Sequence, residues 1–282
     1  MLTSVVASIG VALTSLDAAH AADFAVPKKS IAPAAVGYDW SGVYVGGQIG
    51  GGWQSAAFQD PSATHVITIC CDLIGSIAAG DAASNATGGG FLGGAQVGWN
   101  YQIGRLVIGN DFDFAGSDMK ASGTGIIPGA ASAAANVNES FSIRTDWTAT
   151  ATTTVGIAKD NWLFYSKAGA AWAHDSYALG VSGVNQSFGP AGSFAFASST
   201  SDIRAGWTVG AGVQMALADN WSAKLEYDYL NFGTRAVDFD GVIQNSGLAI
   251  TNPSTFNTNN NQQISELKVG VNYKFAPGLL VW

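Results

Sequence analysis

Few side chains in this sequence are equipped for reaction chemistry. His174 and Ser176 stand two apart in AHDSY. That spacing puts a base and a hydroxyl on one face of an extended segment, as acyl transfer to a serine requires. A carboxylate must orient the imidazole, and Glu139 is the glutamate available on the preceding segment. His65 is the other histidine outside the N-terminal segment, and with nearby tyrosines it is the one candidate for haem-iron ligation. Cys70 and Cys71 are adjacent, too close for an unstrained bridge and lacking the spacing of a zinc-ligand pair. They read as two small apolar residues in a loop. No P-loop, nucleophile elbow or metal-ligand pattern is present, so no metal or cofactor is expected.

A second set of polar groups is unusual for its location. Asp111, Asp113, Arg144, Asp146, Lys167, Lys224, Glu226 and Lys268 all fall inside segments that alternate apolar and polar residues. Eight such segments run at 42–53, 90–101, 104–115, 141–157, 161–174, 203–217, 221–233 and 264–275. Most match the ~9–11 residues of a tilted strand that crosses a bilayer. The connections alternate in length. Gln102-Ile103, Ala158–Asp160 and Ala218–Asn220 are tight, whereas 54–89, 116–140, 175–202 and 234–263 are long and rich in Gly, Ser, Asn and Thr. Sorting of tight turns to one end and long loops to the other is the layout of a membrane barrel.

The apolar face also sorts by height. Tyr101, Trp162, Trp221, Tyr273 and Phe275 gather at the short-turn end, and Trp53, Phe112, Phe114, Trp147, Trp172, Trp207 and Tyr229 at the other. Aromatic rings favour the two bilayer interfaces, so these are two membrane belts. The face between them meets lipid, and the charged residues must point inward. Eight strands enclose room for little beyond side chains, so the eight charges are expected to neutralise one another in the lumen. His174 and Ser176 fall on the lipid side, at the upper rim.

Composition agrees. Charged residues make up 11% of the chain and aromatics another 11%, with a formal net charge of −8. A soluble domain carries roughly 25% charged residues. Val5–Leu16 is an apolar run followed by Ala19-His20-Ala21, which predicts a signal peptide over 1–21. Residues 22–39 read as a disordered periplasmic tail, 40–275 as the barrel and 276–282 as a short C-terminal tail beyond Pro277. An acidic exported chain excludes nucleic-acid partners. The fold expected is all-β: an eight-stranded antiparallel up-and-down transmembrane barrel with four long extracellular loops and short periplasmic turns.

Four stretches, YDWSGVYVGGQIGGGW (38–53), GGFLGGAQVGWNYQIG (89–104), NWSAKLEYDYLNFG (220–233) and LKVGVNYKF (267–275), resemble the alphaproteobacterial small outer-membrane β-barrel or "porin family" proteins. That group includes major surface antigens and haemin-binding outer-membrane proteins. The resemblance implies an outer-membrane location, contact with lipopolysaccharide and other outer-membrane lipids, surface ligands taken by the loops, and small-solute passage in some members. The last strand is similar to the signal read by the outer-membrane assembly machinery, with Lys268, Gly270, Tyr273 and Phe275 in the required order. The His174-x-Ser176 pair is similar to outer-membrane lipid A deacylases, which are also eight-stranded barrels. Phe275→Ala should therefore reduce the folded, heat-modifiable protein recovered in the membrane fraction, whereas removal of 276–282 should leave it unchanged.

Overall fold

The computed structural model describes residues 37–59, 65–69, 72–77, 83–127, 134–185, 193–245 and 251–275. The predicted signal segment, Cys70, Cys71 and the tail after Phe275 lie outside them. Ten strands follow in order: β1 (Gly42–Gln59), β2 (His65–Ile69), β3 (Asp72–Ile77), β4 (Ala83–Ile103), β5 (Leu106–Ile127), β6 (Ala134–Lys159), β7 (Trp162–Asn185), β8 (Ser193–Ala216), β9 (Trp221–Asn245) and β10 (Thr251–Lys274). Eight of them close an antiparallel ring in which β1 pairs with both β4 and β10, while β2 and β3 form a separate hairpin.

The tight turns sit where the backbone needs a left-handed residue. Gly104 has φ 61° and Asp160 has φ 54°, so the two-residue hairpins are Gly104-Arg105 and Asp160-Asn161. The first lies two residues beyond the predicted Gln102-Ile103 turn and the second overlaps the end of the predicted Ala158–Asp160 turn, because alternation locates strands but not positive φ.

In the lower half, the outward side chains are the predicted apolar set. Trp53, Tyr101, Trp162, Trp207 and Trp221 are about half exposed, as are Phe112, Phe114, Val269 and Val271 between and beside them. Trp221, Tyr273 and Phe275 stack edge to face at 5.0 and 5.4 Å, and Phe114–Trp147 and Trp207–Tyr229 pair at 5.6 and 5.7 Å.

Most residues of the predicted long loops are instead strand. Barrel strands reach 18 to 26 residues, so the ring continues well beyond the upper belt. Polarity inverts there. Phe58, Phe141, Ile143, Tyr177, Leu179, Val181, Phe196, Val237 and Phe239 point inward and are buried. Ser140, Ser142, Ser199, Ser201, Asp238 and Asp240 alternate with them on the outside. This upper half is built as a water-soluble barrel, apolar inside and polar outside.

Two bulges shape the ring near the upper belt. Asp146 is an extra residue on β6 against β7, with a matching slip on β5 between Gly116 and Met119. An inserted residue exchanges the two faces of a strand. Thr145 is accordingly buried, and Arg144 turns outward, although strict alternation from Trp147 assigns the opposite. The second bulge lies on β9 at Phe232-Gly233, where Gly233 has φ 62° and donates its N–H to Asn231 Oδ1 at 2.9 Å. Above it β9 parts from β8. Their ladder runs up to Trp207↔Asn231 and resumes at Ala195↔Gln244, with no pairing between.

Arg204 closes that seam. The residue is 1% exposed, and its guanidinium donates to the carbonyls of Gly233, Asn260 and Phe232 at 2.8, 3.1 and 3.3 Å. Arg235 bonds Asp202 across the outside at 2.8 Å. Arg204→Ala should leave three carbonyls unmet and lower the opening free energy of 196–206 by roughly 2–4 kcal/mol, read as faster amide hydrogen exchange there and not in β6.

Candidate functional site

The lumen is filled in layers, beginning at the short-turn end. Trp40, 2% exposed, packs with Val107, Ala158, Leu163, Tyr165 and Ala216, and Tyr38 stands against it at 4.7 Å. The Trp40 backbone N–H donates to Gln102 Oε1 at 2.8 Å, and Lys274 Nζ lies 4.2 Å over the Tyr38 ring. Burial, then the Asp39 and Asp219 carboxylates, raise the Tyr38 pKa above that of a free tyrosine. Residues 37–39 therefore belong to the barrel mouth and not to the preceding tail.

Above this apolar cap sits a charged layer. Lys167 Nζ contacts Glu226 at 2.8 Å, Asp228 at 3.1 Å and Asp113 at 3.2 Å. Lys268 Nζ contacts Asp228 at 2.6 Å and both Glu226 and Glu266 at 3.4 Å. Lys224 reaches Glu226 at 3.2 Å and Asp113 at 3.8 Å, and bonds Gln96, which bonds Asn272 in turn. Glu226 thus touches three ammonium groups and accepts from the Tyr165 hydroxyl at 2.7 Å. Asp111 accepts from Tyr44 at 2.5 Å, and Gln48 donates to Asp113 at 2.8 Å. The lysines and Glu226 have side chains no more than 2% exposed.

Space for this layer comes from glycine. A Cβ on Gly98 would collide with the Tyr44 hydroxyl, and one on Gly212 with the Tyr165 ring. Each tyrosine lies across a neighbouring strand and carries its hydroxyl to a carboxylate. Met119, Ala171, Ala173, Leu230, Phe232 and Ile264 form a thin apolar layer above. Next come Thr145, Asp175, Gln262 and Arg204, where Asp175 accepts from Thr145 Oγ1 at 2.6 Å and from Gln262 Nε2 at 3.1 Å. The aromatic cluster of the upper half, including Phe58 stacked on Phe141 at 3.5 Å, closes the outer end.

Of the predicted lumen charges, Asp111, Asp113, Lys167, Lys224, Glu226 and Lys268 meet inside the barrel. Arg144 and Asp146 do not. Their side chains are 54% and 28% exposed on the outer face and pair with each other at 3.1 Å, because the Asp146 bulge breaks the alternation that placed them inside. The layer also uses Asp228, Glu266, Tyr44 and Tyr165. Glu266 stands two residues before Lys268 and so shares its face, a signal present in the sequence.

His174 and Ser176 lie outside at the upper rim. His174 Nδ1 is 3.0 Å from Asp146 Oδ2, and Ser176 Oγ donates to that same oxygen at 3.0 Å. The hydroxyl is therefore held by the carboxylate, not by the imidazole that would have to activate it. Asp146, not Glu139, is the carboxylate at this histidine, since Glu139 pairs with Val181 farther up β6. His174 also stacks on Trp147 at 6.1 Å. His65 lies in β2, and Lys268, Gly270, Tyr273 and Phe275 occupy the lower end of β10 and the residue after it.

A closed strand ring with a belted apolar exterior and a polar, filled interior is a membrane-spanning β-barrel of the outer-membrane kind. The family described as "Outer membrane protein beta-barrel domain" matches residues 12–275. The 31 kDa outer-membrane immunogenic protein of Brucella melitensis is 31% identical over 91% of this chain and 93% of its own length. The 25 kDa outer-membrane immunogenic protein of Brucella abortus is 25% identical over 84% of this chain and 80% of its own. Among solved structures, the outer membrane protease OmpT of Escherichia coli aligns over 85% of this chain and 99% of its own, with 7% identity and a TM-score of 0.45. The chain belongs to the outer membrane protein β-barrel family and is a protein of the outer membrane.

Removing one partner from a buried ion network strands the others. Lys167→Met should cost roughly 3–5 kcal/mol and lower the temperature of the gel-mobility shift. The same change at exposed Lys159 should move stability by no more than about 0.5 kcal/mol.

Proposed function

We propose that this protein is a non-enzymatic outer-membrane barrel that contributes to envelope structure and presents a surface for interactions outside the cell. The observation that carries this reading is the occupied lumen. Trp40 and its neighbours cap one end, Phe58, Phe141 and Phe239 fill the other, and the charged layer between them is cross-linked by three lysines. The work is then left to the outer face and the exposed end. In the orientation of outer-membrane barrels, the short turns face the periplasm and the long end faces out. The extended upper half supplies a tall polar wall in place of four separate loops. The Brucella relatives are named as immunogenic proteins of the outer membrane.

The rival reading as a small diffusion porin needs a continuous water path, and the two apolar plugs oppose it. A deacylase-like hydrolase needs Ser176 activated by His174, whereas the serine hydrogen goes to Asp146. Purified protein in planar lipid bilayers should give no stable single-channel steps. Stable steps that vanish on Lys224→Gln or Glu226→Gln would replace this reading with the porin.

A further inference from the structure

Asn110 interrupts the apolar outer face at the depth where a polar group is least welcome. It is exposed on the outside of β5, midway between Leu106 at the short-turn end and Phe114 in the upper belt. That position lies in the hydrocarbon core. Asn110 Oδ1 accepts from Thr153 Oγ1 at 3.0 Å, across the direct pair Asn110↔Thr153. Among the described residues nothing accepts from Asn110 Nδ2, which carries two N–H donors. Water is absent at this depth, so an unmet donor there is unfavourable and marks a contact.

The surface around Asn110 is lopsided. On its β4 side stand Val97 and Trp99, both about half exposed. On its β6 and β7 side lie Ala151, Thr153 and Ala168, and a groove of about 460 Å³ runs over these small side chains. Trp99↔Asn110↔Thr153↔Ala168 is one continuous row of ladder pairs, so bulk and hollow flank the same amide. A hydrocarbon chain fits the groove but brings no acceptor at this depth. A second copy of the chain brings both an acceptor and bulk. The bilayer holds all copies in one orientation and at one depth, so a two-fold axis along its normal sets Asn110 against Asn110. A primary amide is its own complement, each Nδ2 donating to the other Oδ1, which keeps a lone pair free beside Thr153. The same rotation carries Val97 and Trp99 of one copy toward Ala151 and Ala168 of the other.

We propose that this protein pairs with a second copy within the membrane through the lipid-facing strip of β4–β7, on a two-fold axis at Asn110. Small residues let the two walls approach closely, and the amide pair fixes which strands meet. Pairing of this kind uses no lumen residue and does not depend on whether the barrel conducts.

The test is sedimentation equilibrium of the refolded protein in density-matched detergent, with reductant present so that Cys70 and Cys71 cannot link copies. Wild type should dimerise, and N110L should weaken the dimer about tenfold, the effect of losing two amide hydrogen bonds in a membrane. N110Q keeps a self-complementary amide and should retain most of the affinity. L225A, on β9 across the ring from β5, should dimerise as wild type does. N110L should keep or raise the temperature of the gel-mobility shift, because leucine suits the lipid face, so loss of the dimer is not loss of the fold. A second readout needs no stable N110L. In a C70S/C71S background and in lipid vesicles, oxidation should cross-link N110C to its own copy and leave L225C uncross-linked. Monomeric wild type at every concentration would overturn the proposal. So would a dimer that N110L leaves as tight as wild type, or N110C that stays uncross-linked, since either outcome puts the contact on another face.

Discussion

The structure depends on closure. A bilayer offers no hydrogen bonds to a strand edge, so a spanning sheet must join its last strand to its first. Here that joint is β1 against β10, paired from Tyr44↔Lys274 to Gln59↔Asn259. Closing eight strands fixes the radius, and that radius leaves an interior only as wide as the side chains that fill it. Polar residues excluded from the lipid face must then satisfy one another inside. Lys167, Lys224 and Lys268 pair with Asp113, Glu226, Asp228 and Glu266, and Asp111 accepts from the Tyr44 hydroxyl.

The same constraint explains the layering. A buried charge is costly unless paired, and the pairing is stronger where water is absent. Apolar caps above and below the charged layer keep it dry, and glycines at Gly98 and Gly212 let tyrosine hydroxyls reach in from the wall. Beyond the upper belt there is no lipid, so the ring keeps its geometry and exchanges its faces. The β9 bulge opens a seam that the ladder cannot close, and Arg204 supplies the missing donors.

The lipid-embedded half was legible because one face of each strand there is apolar at nearly every position, Asn110, Thr153 and Ser166 excepted. The belts, the strand number and the inward direction of Lys167, Lys224, Glu226 and Lys268 all follow from period two. The upper half hid behind its composition. SFSIR, YALGV and VDF alternate as clearly as the membrane strands, but with the apolar residues inward and Ser, Asn and Thr outside. Arg144 and Asp146 were misplaced because a single inserted residue reverses parity, and nothing local in RTDW marks Asp146 as the extra one. Trp40 and Tyr38 precede any alternating segment, so their place in the mouth depends on packing that sequence order does not reveal.

The central claim is a sealed, ion-paired lumen. Acylation of lysine amines in the folded protein, followed by mass spectrometry, tests it most directly. Lys120 and Lys159 are exposed, whereas Lys167, Lys224 and Lys268 have side chains at most 2% exposed. The first two should react quickly and the other three only after heat unfolding. Reaction of Lys167, Lys224 and Lys268 in the folded barrel at the rate of Lys159 would mean that water fills the lumen, and would contradict this account.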